Sequence, residues 1–228
     1  MTEPKYLRPF VTDATGKRLP LLFPIGPRAQ RIAGLSLIAS DLKRCHRGFS
    51  YIVENHPRFR SKGEFIGMGE LNADEFAARS IWISTVVTYG KCFVDAEGRR
   101  LKLERKTVKA LGPSLLECHD KPMSERHEYA AHGGDSLHEA ARFGIAVSNL
   151  DPLELVHVAF DLQAWLPGKD QSAMAIDLCR QLQIEVAKRV EVACASFEAD
   201  VRKMPLDELR RLIESSRRAH SGFSSSDV

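Results

Sequence analysis

From Leu178 to Val201 apolar residues recur every three or four positions, through Leu182, Val186, Val190, Ala193 and Phe197. That period places them on one face of a helix. The stripe predicts a helix over 171–202, about 30 residues and about 45 Å long at 1.5 Å per residue. Two more segments carry the same period. Leu35, Ile38, Leu42, Cys45, Phe49 and Ile52 predict a helix over 31–55. Phe76, Ile83, Val87, Gly90 and Val94 predict another over 73–93, opened by Asn72 and Glu75 at the spacing of a capping box. Three such stripes imply a mainly α protein, an antiparallel helical bundle in which each helix covers the apolar face of another.

Proline and glycine set the remaining boundaries. Residues 1–30 hold Pro4, Pro9, Pro20, Pro24 and Pro27 and are expected to form a Pro-rich N-terminal arm, with a small hairpin turning at Asp13–Gly16. The polar stretch 57–69 reads as a loop. Pro113, Ser114 and Glu117 mark a helix start, and Pro122 is expected to divide the next stretch into two short helices, the second ending at Gly133-Gly134. In the region 143–165 the apolar period becomes two, which predicts one β-hairpin with strands at 143–148 and 154–165. Pro205 ends the long helix, and the Ser-rich stretch 215–228 is expected to fray. At 228 residues the chain is near the size of one domain: an arm at 1–30, a helical domain with its hairpin at 31–214, and a tail at 215–228.

Composition removes several classes of function. With 43% hydrophobic and 28% charged residues the chain has enough apolar content for a core, and a net charge of +3 does not by itself mark a nucleic-acid binder. Five cysteines spread from Cys45 to Cys194 are too sparse for a disulfide framework, so reduced, buried thiols are expected in a cytoplasmic protein. The N-terminal residues have no apolar signal core, and no stretch is long and apolar enough to span a membrane, so no membrane partner is expected. No cofactor or metal is expected either. His127 and His132 resemble a zincin pair at first sight but stand five apart, about 140° around a helix, where two ligands on one face need four. No Gly-Lys-Ser/Thr phosphate loop and no Gly-x-Ser-x-Gly elbow occurs.

What remains is Arg126-His127-Glu128-Tyr129-Ala130-Ala131-His132, followed by Gly133. A histidine in the last turn of a helix sits among unpaired carbonyls, whose dipole favours imidazolium. Arg126, six positions earlier and about 120° around the helix, has a side chain long enough to bend toward the same cleft. These residues resemble the signature of the HEPN-like all-α superfamily, an Arg followed by a polar residue and, four to six positions after the Arg, a His near a helix end. Arg126 stands at the Arg position, His127 at the polar position where Asn is more usual, and His132 at the His position. The preceding segment, with Tyr89-Gly-Lys-Cys-Phe93, is similar to the helix that precedes the motif in members of the superfamily. The resemblance covers about 70–135.

The resemblance implies metal-independent RNA cleavage by a homodimer, as in toxin and defence proteins. His132 would act as general base on a ribose 2′-OH and Arg126 would stabilise charge on phosphorus, with His127 at the variable position. The superfamily also has members that bind or scaffold without cleaving. Locally the alternative is that His132 only caps carbonyls and Arg126 pairs with Glu125 or Glu128. A second candidate is the basic segment, in which Arg99, Arg100, Lys102, Arg105, Lys106 and Lys109 face one acid, Glu104. Such a run either tracks an RNA backbone or is a solvated surface. Trp82 and Tyr89 read as core rather than as base-stacking platforms. Two functions therefore stand: a HEPN-like endoribonuclease acting on RNA, or a non-catalytic bundle that binds a protein partner.

Overall fold

The computed structural model describes residues 11–12, 14–19, 26–59, 65–67, 71–95, 101–127, 139–150, 153–165 and 168–221. The described part is mainly helical. In chain order its elements are β1 (Val11–Thr12), β2 (Arg18–Leu19), α1 (Pro27–Asn55), β3 (Phe65–Gly67), α2 (Ala73–Lys91), α3 (Arg105–Lys109), α4 (Pro113–Glu125), β4 (Glu139–Leu150), β5 (Leu153–Trp165), α5 (Lys169–Lys203) and α6 (Leu206–Ser221). The chain divides into two compact units. The larger is Gly34–Val190, and the smaller joins the residues up to Ala33 with those from Glu191 onward.

The larger unit holds the core. From α1 it takes Leu35, Ile38, Leu42, Cys45, Phe49 and Ile52, the stripe expected for 31–55. From α5 it takes Ala175, Leu178, Cys179, Leu182 and Val186. Helix α2 opens with the anticipated capping box: Glu75 N–H donates to the Asn72 side chain and Asn72 N–H to the Glu75 carboxylate, both at 2.8 Å. The buried face of α2 differs from the expected one. It is formed by Glu75, Ala78, Trp82, Thr85, Val86, Tyr89 and Gly90, of which only Gly90 belongs to the expected stripe, while Phe76 is 64% exposed. The apolar residues of this helix surround it almost completely, so periodicity alone does not select a face, and the aromatic pair does. Trp82 meets Phe49 edge-on with ring centroids 5.5 Å apart. Close approach of the Thr85 side chain to the α1 backbone agrees with this face, because a Cβ at Gly48 of α1 would lie 2.1 Å from Thr85 Oγ1. Polar contacts tie α5 to its neighbours. Gln183 donates to the Leu42 carbonyl at 3.4 Å, Gln171 to the Glu125 carboxylate at 3.0 Å, and Arg189 to Thr107 Oγ1 at 3.1 Å.

Two local expectations in this unit are corrected. Helix α4 is not divided at Pro122 but runs through it. A proline there removes the amide that would donate to the Cys118 carbonyl, and tertiary contacts on both sides of the gap keep the segment helical, as described below. Residues 65–67 are not wholly loop: Phe65, Ile66 and Gly67 pair antiparallel with Trp165, Ala164 and Gln163. The backbones of β4 and β5 pair antiparallel, from Glu139 opposite Ala164 to Leu150 opposite Leu153, with register shifts around Val147. The side chains of these strands lie outside the described residues.

In the smaller unit β1 and β2 pair antiparallel across a turn where Gly16 takes φ +81°, a conformation that suits glycine. The helical part of the proline-rich arm begins at Pro27, and Arg28 pairs with Asp200. Helix α6 continues to Ser221, so the expectation of fraying is corrected over 215–221, and 222–228 lie outside the described residues. Arg217, Arg218 and Ala219 are good helix formers.

Candidate functional site

Helix α4 delivers Arg126, and the C-terminal turn of α2 receives it. Tyr89 is buried, and its phenol oxygen lies 2.7 Å from Nδ1 of His119 on α4. The Phe93 ring stands 4.5 Å from the His119 ring and 5.1 Å from Tyr89, so His119 is enclosed by two aromatics. Burial lowers the pKa of His119 and raises that of Tyr89. Both groups are therefore neutral near pH 7, and the bond between them is a buried one between uncharged partners. Neighbouring thiols reinforce the apolar character. Cys45, Cys92, Cys118 and Cys179 are buried, and burial raises the pKa of Cys45 and Cys179 and takes Cys118 up to about 11. These are inert thiols. Cys194, expected to be a buried thiol, is exposed instead.

Seven residues beyond His119, about two helical turns, Arg126 follows α4 in a π-helical turn with His127. Its N–H donates to the carbonyls of Pro122 and Met123. Single π turns within α-helices are rare and are frequent at functional sites. The Arg126 side chain is half-buried and its stem lies against Gly90 of α2: a Cβ built at Gly90 would stand 2.0 Å from Arg126 Cδ, 2.6 Å from Nε and 3.3 Å from Cγ. Among the described residues no acid forms an ion pair with Arg126, and Glu125 accepts a hydrogen bond from Gln171. His127 is exposed. His132 lies outside the described residues, as do Glu128 and the Gly133-Gly134 pair. Sequence reasoning singled out Arg126 and missed His119, although a His seven positions before the motif on the same helix face was there to be found.

The basic segment is built differently. Arg99 and Arg100 lie outside the described residues. Lys102 pairs with Asp95 at 2.5 Å, Arg105 grips Asp120 with two bonds at 3.0 and 2.5 Å, and Lys106 pairs with Glu104. Their hydrogen bonds and charges lower the pKa of Asp120 and Glu104, and the Asp120 bond raises that of Arg105. Lys109 is exposed and forms no ion pair among the described residues. Trp82 and Tyr89 are core residues, so neither offers a stacking platform.

Among the described residues no group of three or more His, Cys, Asp or Glu side chains is placed to hold a metal ion, and no helix is long and apolar enough to cross a membrane. Compared with protein-family models, with curated proteins and with solved structures, the chain matches none of them.

Proposed function

We propose that this chain is a HEPN-like, metal-independent endoribonuclease of the toxin or defence type, a cytoplasmic homodimer whose helical bundle carries a β-hairpin near 143–165. The observation that carries the reading is the seat of Arg126. A guanidinium on a half-buried stem, at a π turn and with no carboxylate partner among the described residues, suits a group that binds a phosphate rather than one that closes an internal ion pair. In this reading His132 takes the proton from a ribose 2′-OH. The 2′-oxygen bonds to the adjacent phosphorus, Arg126 stabilises the added charge on the phosphoryl oxygens, and the bond to the 5′-oxygen breaks, leaving a 2′,3′-cyclic phosphate while the departing 5′-oxygen takes a proton from water.

Purified protein is expected to cleave single-stranded RNA with chelator present and to leave DNA intact, because DNA lacks the nucleophile. His132→Ala should cost about 10²–10⁴ in rate, and Arg126→Ala a similar factor. Arg126→Lys should recover only part of it, since a point charge lacks the fork that matches a phosphate. His127→Ala should cost least. Equal residual cleavage by wild type and His132→Ala would end the reading, and a strict monomer in light scattering would remove the homodimer that the resemblance implies.

The non-catalytic bundle has its own support. Three of the four described cations of the basic segment are matched with acids, and Phe76 and Ile184 in the larger unit, like Val192 and Leu206 in the smaller, are exposed apolar side chains. Such residues suit a protein partner better than RNA. Binding without cleavage is the outcome that would favour it.

A further inference from the structure

Gly90 has no role in the motif, yet the stem of the proposed phosphate-binding group lies against it. Glycine disfavours a helix interior relative to alanine, and its position in the last turn of α2 is not explained by any left-handed backbone angle. The space it leaves is used by Arg126, whose Cδ and Nε occupy the volume a Cβ would need. Tyr89, the adjacent residue, holds α4 by the 2.7 Å bond to His119. Phe93, one turn on, closes the other side of the His119 ring. His119, Pro122 and Arg126 are spaced i, i+3 and i+7, which is one face of a helix. His119 and Pro122 are buried, and the Arg126 stem lies on Gly90. The end of α2 therefore fixes α4 before the proline gap and receives the arginine after it.

We propose that Gly90 is a positioning residue: its bare backbone is the floor of the groove that directs the Arg126 guanidinium toward the scissile phosphate of an RNA substrate. The inference rests on the ribonuclease reading for the word substrate, and on the packing of α2 against α4 for the rest. A Cβ at Gly90 meets the stem of a flexible side chain, so Arg126 moves while the helices stay. Rate should suffer and stability should not. Misplacing a catalytic group by about 1 Å can cost about 10² in rate.

The test is a double-mutant cycle of Gly90→Ala and Arg126→Ala, read by RNA cleavage, by melting temperature, and by the Arg126 Nε–Hε resonance of the full chain. Gly90→Ala is expected to lower cleavage about 10²-fold without lowering the melting temperature. It should also shift the Nε resonance and cause no further loss of cleavage once Arg126 is alanine. A Gly90→Ala enzyme with wild-type cleavage, or one whose loss persists undiminished in the Arg126→Ala background, would overturn the proposal. If the wild type cleaves no RNA, the ribonuclease reading falls by itself. The resonance then decides the positioning: a shift in Gly90→Ala supports the seat, and an unmoved signal refutes it.

Discussion

The α2–α4 seam and the segment 101–109 are both cationic regions of the larger unit, and they handle charge in opposite ways. At the seam a single guanidinium rests on glycine backbone while a buried tyrosine–histidine bond, closed in by Phe93, holds the helices together. In the segment three cations lie on the surface, each opposite a carboxylate of the same chain. The seam has little charge and much packing. The segment has much charge, most of it matched. A count of basic residues ranks the segment first, whereas geometry ranks the seam first, because a phosphate-binding cation must be fixed in place before the ligand arrives.

If the seam is held by packing and one buried bond, it should be the costliest place to cut. Tyr89→Ala removes a fully buried aromatic and should destabilise the protein by about 3–5 kcal/mol, as large aromatic truncations do. Tyr89→Phe keeps the ring, strands His119 Nδ1 in an apolar site, and should cost about 1–3 kcal/mol. Denaturant unfolding measures both. A Tyr89→Phe variant as stable as wild type would reduce the seam to packing alone.

The same pair makes a smaller, pH-dependent contribution. Burial depresses the pKa of His119 in the folded state below its unfolded value near 6.5. Below that value the unfolded chain binds a proton that the folded chain resists, so unfolding becomes easier as pH falls. Stability from this group is complete above about pH 6.5 and declines below it until the folded-state pKa is reached. Wild type should therefore lose more melting temperature between pH 7.5 and pH 5 than His119→Gln does. Parallel curves for the two would show that His119 titrates no differently in the folded protein.

Much of this contrast was out of reach of the sequence, for physical reasons. The long helices were legible: α1, α2 and α5 begin and end within about four residues of the expected 31–55, 73–93 and 171–202. A stripe of Leu, Ile and Val has one face and needs a neighbour to cover it. The face of α2 was not legible, because Phe76 and Ile83 are as apolar as Trp82 and Val86 and only contact with Phe49 chooses between them. The continuity of α4 was hidden too. Local propensity stops a helix at Pro122, and His119 and Arg126, gripped on one face, carry it through. As for the site, Arg126 stands out in the motif, and His132 lies outside the described residues. In the sequence Gly90 is only one position of the 73–93 stripe. What approaches it is a tertiary fact.

The smallest effects should come from the basic segment. Exposed ion pairs of this kind contribute little, since solvent screens them and two long side chains must be ordered to form them. Lys102→Ala, Arg105→Ala and Lys106→Ala should each leave the melting temperature unchanged within error. Their effect on RNA should be equally slight, because each cation already has a carboxylate and releasing it for phosphate gains nothing net. Each phosphate contact on a single strand contributes roughly 0.7 to the slope of log affinity against log salt. The triple alanine variant is expected to change that slope by less than one contact, whereas Arg126→Ala alone should change it by about one. The converse experiment sharpens the contrast. Asp95→Asn, Glu104→Gln and Asp120→Asn together free three cations and should steepen the slope and tighten binding. If instead the triple alanine variant loses about two contacts' worth of slope, the carboxylates yield to RNA, and the segment rather than the seam is where the backbone runs.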